Sequence, residues 1–264
     1  MNASKDGPAI LVEREGPVMR VTLNRPSAGN AITRSMAHEL MQAVTAAEAD
    51  PAVRCVLVTG QGKYFCVGGD LGEFPGSGPD LRIYLRELTT YLHAALSMLL
   101  KMEKPLVTAI NGPVAGGGLG LALLGDVVIA AQSSHFTTAY RTIGVTPDGG
   151  STWILPRLVG LRRAQDMLIS NKRITANEAV DIGLVSRTVE DGALSTAATE
   201  VAQELAHFNT FALSGTRKLL LSSYGNSPEA QMELESNMIA ISADSAGGQE
   251  GIQAFLGKRK PKFH

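Results

Sequence analysis

The sequence predicts an α/β fold, and three observations carry that expectation. Short runs of β-forming apolar residues alternate with segments of helical periodicity through the first two thirds of the chain. Mostly helical sequence fills the last third. Between them an apolar β-type run, residues 105–110, feeds straight into Asn111-Gly112-Pro113-Val114-Ala115-Gly116-Gly117-Gly118-Leu119-Gly120, and a Leu/Ala-rich run leaves it. Strand, glycine turn and helix in that order aim bare backbone N–H groups at an anion.

The elements follow in order. Residues 10–12 and 18–23 read as a hairpin around a Glu-Gly turn. Asn24-Arg25-Pro26-Ser27-Ala28-Gly29-Asn30 is a loop by composition. Thr33 is a candidate N-cap, because Met36, Leu40, Val44 and Ala47 recur behind it at helical spacing until Asp50-Pro51 stops them. Residues 53–59 form a buried-type strand before Gly60-Gln61-Gly62. A glycine-rich loop, residues 65–79, holds Pro75 and Pro79, and residues 81–102 make a long helix ended by Lys104-Pro105. Past the glycine turn, residues 127–131 and 135–138 read as strands. Thr146-Pro147-Asp148-Gly149-Gly150 is a turn ahead of a helical stretch. From Ala164 onward the chain is mostly helical, with a short strand at 185–189. The last helix ends at Gly257, ahead of a basic tail.

Composition bounds the function. A chain of 264 residues, 44% apolar and 19% charged, holds one large α/β domain or a domain with an appendage. A net charge of −1, with Lys and Arg spread along the chain, shows no basic stripe for nucleic acid. Cys55 and Cys66 make neither a metal spacing nor a disulfide framework, which points to the reducing cytoplasm. Residues 1–6 are polar and unlike a leader, and the longest apolar run, near 116–131, is broken by glycines and Asp126. No membrane span and no metal or redox cofactor is expected.

Two features invite chemistry on their own terms. The glycine turn around Gly117 can be half of an oxyanion hole, or a tight turn that needs positive φ. Asp148 stands in a Pro-Asp-Gly turn, which is also an ordinary turn signature. Asp70 reads as an N-cap on a turn beginning at Leu71, with Glu73 a nearby loop carboxylate. Cys66 reads as a small buried filler.

Together the motifs resemble the crotonase (enoyl-CoA hydratase/isomerase) superfamily over nearly the whole chain. The resemblance rests on Leu23-Asn24-Arg25-Pro26 with Asn30-Ala31-Ile32, on Phe65-Cys66-Val67-Gly68-Gly69-Asp70-Leu71, and on Lys104-Pro105 running into Asn111-Gly112 and Gly116-Gly117-Gly118. Pro147-Asp148-Gly149-Gly150 with Leu155-Pro156-Arg157, and residues 251–260, complete it. It implies a spiral of ββα turns (residues 1–200) carrying the acyl-CoA site, and a helical region (201–264) that builds a homotrimer or hexamer.

The resemblance also implies roles. Gly69 and Gly117 would offer their N–H groups to the thioester oxygen, where losing one donor costs about 3–4 kcal/mol of barrier. Asp148 would carry the proton, its carboxylate buried in an apolar pocket. Val67, Gly68, Asp70, Leu71 and Gly116 would frame the thioester. Ala28, Asn30 and Ala31 would meet the adenine and pantetheine through backbone, and Arg25 and Lys258 would pair with CoA phosphates. Tyr140 would line the pocket as a wall or a hydroxyl donor. Tyr64, Phe74, Leu81 and Tyr84 would shape the acyl site. CoA arrives as part of the substrate.

Hydratases of this superfamily use two glutamates, which would fall at Gly120 and Tyr140; neither position is acidic here. Hydration needs one group for water and one for the α-carbon, whereas a lone carboxylate suffices for a 1,3-proton shift. The expectation is therefore an isomerase. The segment from Pro147 through Trp153 to Arg157 looks most like the phenylacetate-pathway branch, which includes 1,2-epoxyphenylacetyl-CoA isomerase. The alternatives are a hydratase, a hydrolase or dehalogenase with Asp148 as nucleophile, and a non-catalytic acyl-CoA-binding subunit.

Overall fold

The computed structural model describes residues 7–74 and 79–263. The polar start at 1–6, the stretch 75–78 with Pro75, and His264 lie outside the described residues. The chain opens with strands β1 (Ile10–Glu15) and β2 (Val18–Leu23), helix α1 (Arg34–Ala49), β3 (Cys55–Gly60) and helix α2 (Pro79–Lys101). There follow β4 (Leu106–Ile110), β5 (Val114–Ala115), the short α3 (Gly118–Ala122), β6 (Val127–Ala131) and β7 (His135–Thr137). Helices α4 (Ser151–Val159) and α5 (Leu161–Ser170) lead to β8 (Ile174–Thr175), α6 (Ala176–Asp181) and β9 (Arg187–Val189). The chain closes with α7 (Leu194–His207), α8 (Thr210–Ser223), α9 (Pro228–Asp244) and α10 (Ala246–Leu256).

A six-stranded sheet runs β1-β2-β3-β4-β6-β9, antiparallel only at the β1–β2 hairpin. A smaller sheet, β5-β7-β8, stands beside it. Alternation along the large sheet sends Val56 and Val58 toward α1 and α2, and Cys55, Leu57, Val107 and Ile129 toward α7. Burial on both faces is why the parallel strands read as continuous apolar runs rather than alternating ones. α1 starts where expected: the Thr33 side chain accepts from Met36 N–H at 3.1 Å, and Met36, Leu40, Val44 and Ala47 are buried.

Three expectations shift. The glycine stretch is not a plain turn, for it contains β5, which pairs in parallel with β7, while Val114 also bridges to Cys66. That bridge lays the 66–69 loop alongside the 114–117 loop. Ile174–Thr175 makes a strand too short for periodicity to reveal, paired with β7. The division expected between residues 200 and 201 falls inside α7, whose Ala198, Ala202 and Ala206 pack on the large sheet. The helices that stand apart from this core are α8 to α10. Among the described residues no helix is long and apolar enough to cross a membrane.

Candidate active site

Two loops meet at the carboxyl ends of β3 and β4. Ile32 N–H donates to Gly68 O at 2.7 Å and Asp70 N–H to Ile32 O at 3.0 Å, so the first loop is strung along residue 32. Ala115 N–H donates to Cys66 O at 2.9 Å and ties on the second. Where they touch, Gly68 and Gly116 take left-handed φ of 97° and 51°. A Cβ on Gly68 would lie 3.3 Å from Gly116 Cα and 3.4 Å from Gly117 N, so both the turn and the close approach call for glycine there.

Gly69 and Gly117 are different. Neither has positive φ, and Gly117 sits at −59°. The tight-turn explanation therefore belongs to their neighbours. Among the described residues neither the Gly69 nor the Gly117 N–H has a hydrogen-bond partner. Two adjacent loops thus present one open amide each, as a growing oxyanion requires.

Asp148 closes the arrangement. A Cβ built on Gly117 would lie 3.3 Å from its Oδ1 and 4.0 Å from its Oδ2, so the carboxylate stands directly against the second amide loop. The half-buried side chain is not in an apolar pocket as expected: the Tyr140 hydroxyl donates to Oδ1 at 2.7 Å. Tyr140 is itself buried, and its ionisation is pushed well above the ordinary tyrosine range by that burial and then by the Asp148 charge. It remains a neutral donor. Ser151 anchors the turn from below, donating its N–H at 3.1 Å and its hydroxyl at 2.8 Å to Asp148 O.

The two hydratase positions have physical reasons for lacking acids. A Cβ on Gly120 would lie 1.9 Å from Gly149 O, so no side chain of any kind fits there with this turn in place. The other position is Tyr140, already committed to Asp148. Glu73 is exposed and accepts from the Tyr84 hydroxyl at 3.2 Å, with Arg34 over the Tyr84 ring. Phe74 leans its ring to 3.3 Å of where a Gly69 Cβ would be and packs on Tyr84, walling that amide. Cys66 is fully buried and its thiol is pushed up to about 12 by burial, which leaves it as inert packing.

The expected CoA-contacting residues fare unevenly. Arg25 is neither free for a phosphate nor an exposed cation. It pairs with Asp70 at 2.8 Å and donates to Ala31 O at 2.5 Å, bracing the two loops together. Asp70 keeps its capping role as well, accepting from Gly72 N–H at 3.1 Å ahead of Leu71. The N–H groups of Ala28, Asn30 and Ala31 are all bonded within the loop, and the Asn30 side chain holds Gln61 O and Tyr64 O. The carbonyl oxygens of Ala28 and Ala31 are bonded as well, to Ala31 N–H and to the Arg25 guanidinium. Val67 packs on Gly29, and Leu71 is half exposed. Lys258 is exposed in the tail after α10, where Arg259 pairs with Glu250 at 2.6 Å.

Sequence reasoning missed His93. Its Nε2 accepts from Gly149 N–H at 3.1 Å across 56 positions of sequence. No local pattern could show it, because His93 is one polar residue on an amphipathic helix. His93 also lines a cavity of about 330 Å³, together with Ser97, the apolar side chains of Leu96, Leu100, Leu124, Trp153 and Ile154, and the backbone of Gly149 and Gly150.

Paired open amides, one carboxylate and an adjoining, mostly apolar cavity stand together on an α/β scaffold, an arrangement that can bind a carbonyl oxygen beside a proton acceptor. Comparison with known proteins gives that arrangement its family. The enoyl-CoA hydratase/isomerase family model matches residues 13–264. The chain is 36% identical to 1,2-epoxyphenylacetyl-CoA isomerase of Escherichia coli, over 96% of this chain and 97% of that one. It is 36% identical to 4-chlorobenzoyl coenzyme A dehalogenase-2 of an Arthrobacter species, over 75% and 72%. The crystal structure of enoyl-CoA hydratase from Bacillus anthracis superposes with a TM-score of 0.90 at 29% identity, covering 97% of this chain and all of that one. The chain belongs to the enoyl-CoA hydratase/isomerase family and has the crotonase fold; it is an acyl-CoA-processing enzyme of that superfamily.

Proposed function

We propose that the chain is an acyl-CoA isomerase that shifts a double bond through an enolate. The observation that carries the reading is the single carboxylate beside the amide pair, with one hydratase position sterically closed at Gly120 and the other held by Tyr140. Asp148 Oδ2 takes the proton from the α-carbon of a 3-enoyl thioester. The electron pair moves onto the thioester oxygen, where Gly69 and Gly117 N–H stabilise the charge. The protonated acid then delivers the proton two carbons along, and the carbonyl re-forms with the double bond at the 2-position. The cavity past Gly149 and Gly150 is the proposed seat of the acyl tail, and its apolar walls suit a hydrocarbon or ring-bearing group. Kinship with the phenylacetate-branch isomerase supports this choice.

In the same reading, the backbone of Ala28, Asn30 and Ala31 meets the adenine and pantetheine, and Lys258 meets a CoA phosphate. The protein works as a homotrimer or hexamer in the cytoplasm and needs no metal or redox cofactor. A second reading has one observation behind it. A carboxylate with one oxygen bonded and the other open is also placed to act as a nucleophile, and a dehalogenase is among the relatives.

The test is turnover of 3-hexenoyl-CoA by wild type and Asp148→Asn. The isomerase reading expects 2-hexenoyl-CoA from wild type and a loss of at least about a thousandfold in the variant. Equal rates would remove Asp148 from the reaction. Rapid hydration of crotonyl-CoA would restore the hydratase alternative. Mass added to Asp148 during turnover would establish the nucleophilic one. Binding without α-proton exchange in heavy water would leave a carrier.

A further inference from the structure

We propose that Arg157 is a positioning residue for substrate selection: with Tyr224 it holds the Trp153 indole as a fixed wall of the acyl cavity, and so brings the end of α8 into the choice of acyl tail. The inference rests on the reading of that cavity as the seat of the tail. Arg157 is half-buried, yet among the described residues no carboxylate pairs with it. Its Nε is buried without a hydrogen-bond partner. The surroundings of the guanidinium are aromatic instead. Its central carbon lies 4.0 Å from the centre of the Trp153 ring and 5.0 Å from that of Tyr224. A flat, weakly hydrated guanidinium stacks on aromatic faces and gains electrostatically from them.

Two hydrogen bonds close the same cluster. Arg157 Nη1 donates to Trp153 O at 2.9 Å, and the Tyr224 hydroxyl donates to Arg157 O at 3.3 Å. That carbonyl lies in the last turn of α4, where helix carbonyls have no partner within the helix. Trp153 and Arg157 are four residues apart on α4 and meet by helix geometry. Tyr224, the C-cap of α8, comes from 67 positions further on, so its contact is tertiary. Trp153 lines the cavity with Leu96, Leu100 and Ile154, yet it is 36% exposed. A partly exposed side chain changes rotamer readily unless its neighbours pin it. A pinned indole gives a tail constant apolar contact, whereas a loose one must be ordered as the tail binds, which weakens binding. Only tails long enough to reach Trp153 feel the difference.

The experiment compares wild type with Arg157→Met, Tyr224→Ala and Tyr224→Phe on the full chain. Trp153 is the single tryptophan, so acrylamide quenching of its emission reads the clamp without any reaction. The quenching constant should rise about twofold in Arg157→Met and Tyr224→Ala and stay close to wild type in Tyr224→Phe, which keeps the ring. Calorimetric binding of octanoyl-CoA and butanoyl-CoA, which have no double bond to shift, reads the selection. Kd for octanoyl-CoA should rise about threefold to fivefold in Arg157→Met and Tyr224→Ala, with butanoyl-CoA within about twofold and Tyr224→Phe close to wild type. Unchanged quenching in Tyr224→Ala would overturn the clamp, and so would an equal loss of affinity for both thioesters. Octanoyl-CoA that binds wild type without altering Trp153 emission would instead overturn the reading of the cavity as the tail's seat, whatever the quenching data show.

Discussion

The Tyr140 hydroxyl donates to Asp148 Oδ1 at 2.7 Å, from a position where the hydratases of this superfamily carry an acid. The substitution changes what the neighbour can do. A second carboxylate would activate water and repel Asp148. A buried phenol holds one oxygen of Asp148 still and, in the proposed reaction, leaves the other to exchange protons with substrate. Tyr140→Phe keeps the ring packing and removes only the donor. A hydrogen bond to a charged group contributes about 1.5–3 kcal/mol, so kcat on 3-hexenoyl-CoA should fall about tenfold to a hundredfold with little change in KM. An unchanged kcat would show that the bond has no part in the reaction.

The same pair sets an alkaline prediction. Burial, and then the Asp148 charge, raise the ionisation of Tyr140 above the ordinary value near 10. The neutral hydroxyl is the donor, so its contribution is complete below the unfolded value of about 10 and disappears only as pH rises through the higher folded value. Tyr140 should therefore add no alkaline limb to kcat between pH 7 and 10. Tyrosinate absorbance of wild type minus Tyr140→Phe, taken on the folded protein, should appear only above that range. A difference midpoint at or below 10 would contradict the buried, bonded placement.

Gly120 yields a prediction by sterics. With a Cβ there meeting Gly149 O at 1.9 Å, Gly120→Glu cannot simply install the missing hydratase acid. The side chain must displace the Asp148 turn, at a cost of about 1–3 kcal/mol in stability. The variant should melt lower, lose isomerisation and gain no hydration of crotonyl-CoA. A variant that hydrates crotonyl-CoA at wild-type stability would mean that the turn moves freely, and the steric argument against the hydratase would go with it.

These relationships mark how far the sequence alone reaches. Local patterns revealed the Thr33 cap, the buried stripe from Met36 to Ala47 and the strands of the large sheet, because each is specified by residues a few positions apart. Gly69, Gly117 and Asp148 were legible only as a set of motifs, and the structure brings all three together. Arg25 and Asp70 are 45 positions apart, and nothing local in either said that they pair. Tyr140 and His93 were invisible as partners of the Asp148 turn for the same reason: a hydrogen bond between distant elements leaves no periodic trace. β5 and β8, at two residues each, fall below the length at which alternation can be read.

The Arg25–Asp70 pair is testable as a brace. At 2.8 Å, with side chains only 15% and 19% exposed, it joins the loop of Ala28, Asn30 and Ala31 to the loop of Gly69. Asp70→Asn should lower stability by about 1–2 kcal/mol in urea unfolding and raise KM for acyl-CoA about threefold or more. If Arg25 served a CoA phosphate instead, Arg25→Met would raise KM strongly while Asp70→Asn would lower it by releasing the guanidinium. The direction of the Asp70→Asn effect on KM separates the two.

The last helices make the remaining prediction. α9 is 17 residues long and buries none of them, and Met232, Ile239 and Ile241 on it are 59%, 71% and 57% exposed. On α10, Phe255 and Leu256 are 84% and 75% exposed, and on α8 Leu220 is 65% exposed. Large apolar side chains left in water across three consecutive helices mark a surface that another surface covers. The proposed cover is further copies of this chain, so sedimentation equilibrium at micromolar concentration should give a trimer or hexamer. Ile239→Asp combined with Phe255→Asp should shift the distribution toward monomer. The sheet and the Asp148 turn lie outside this helical region, so far-ultraviolet dichroism should change little. A wild-type monomer that stays soluble at high concentration would sink the assembly, and would require the three helices to fold back onto their own core.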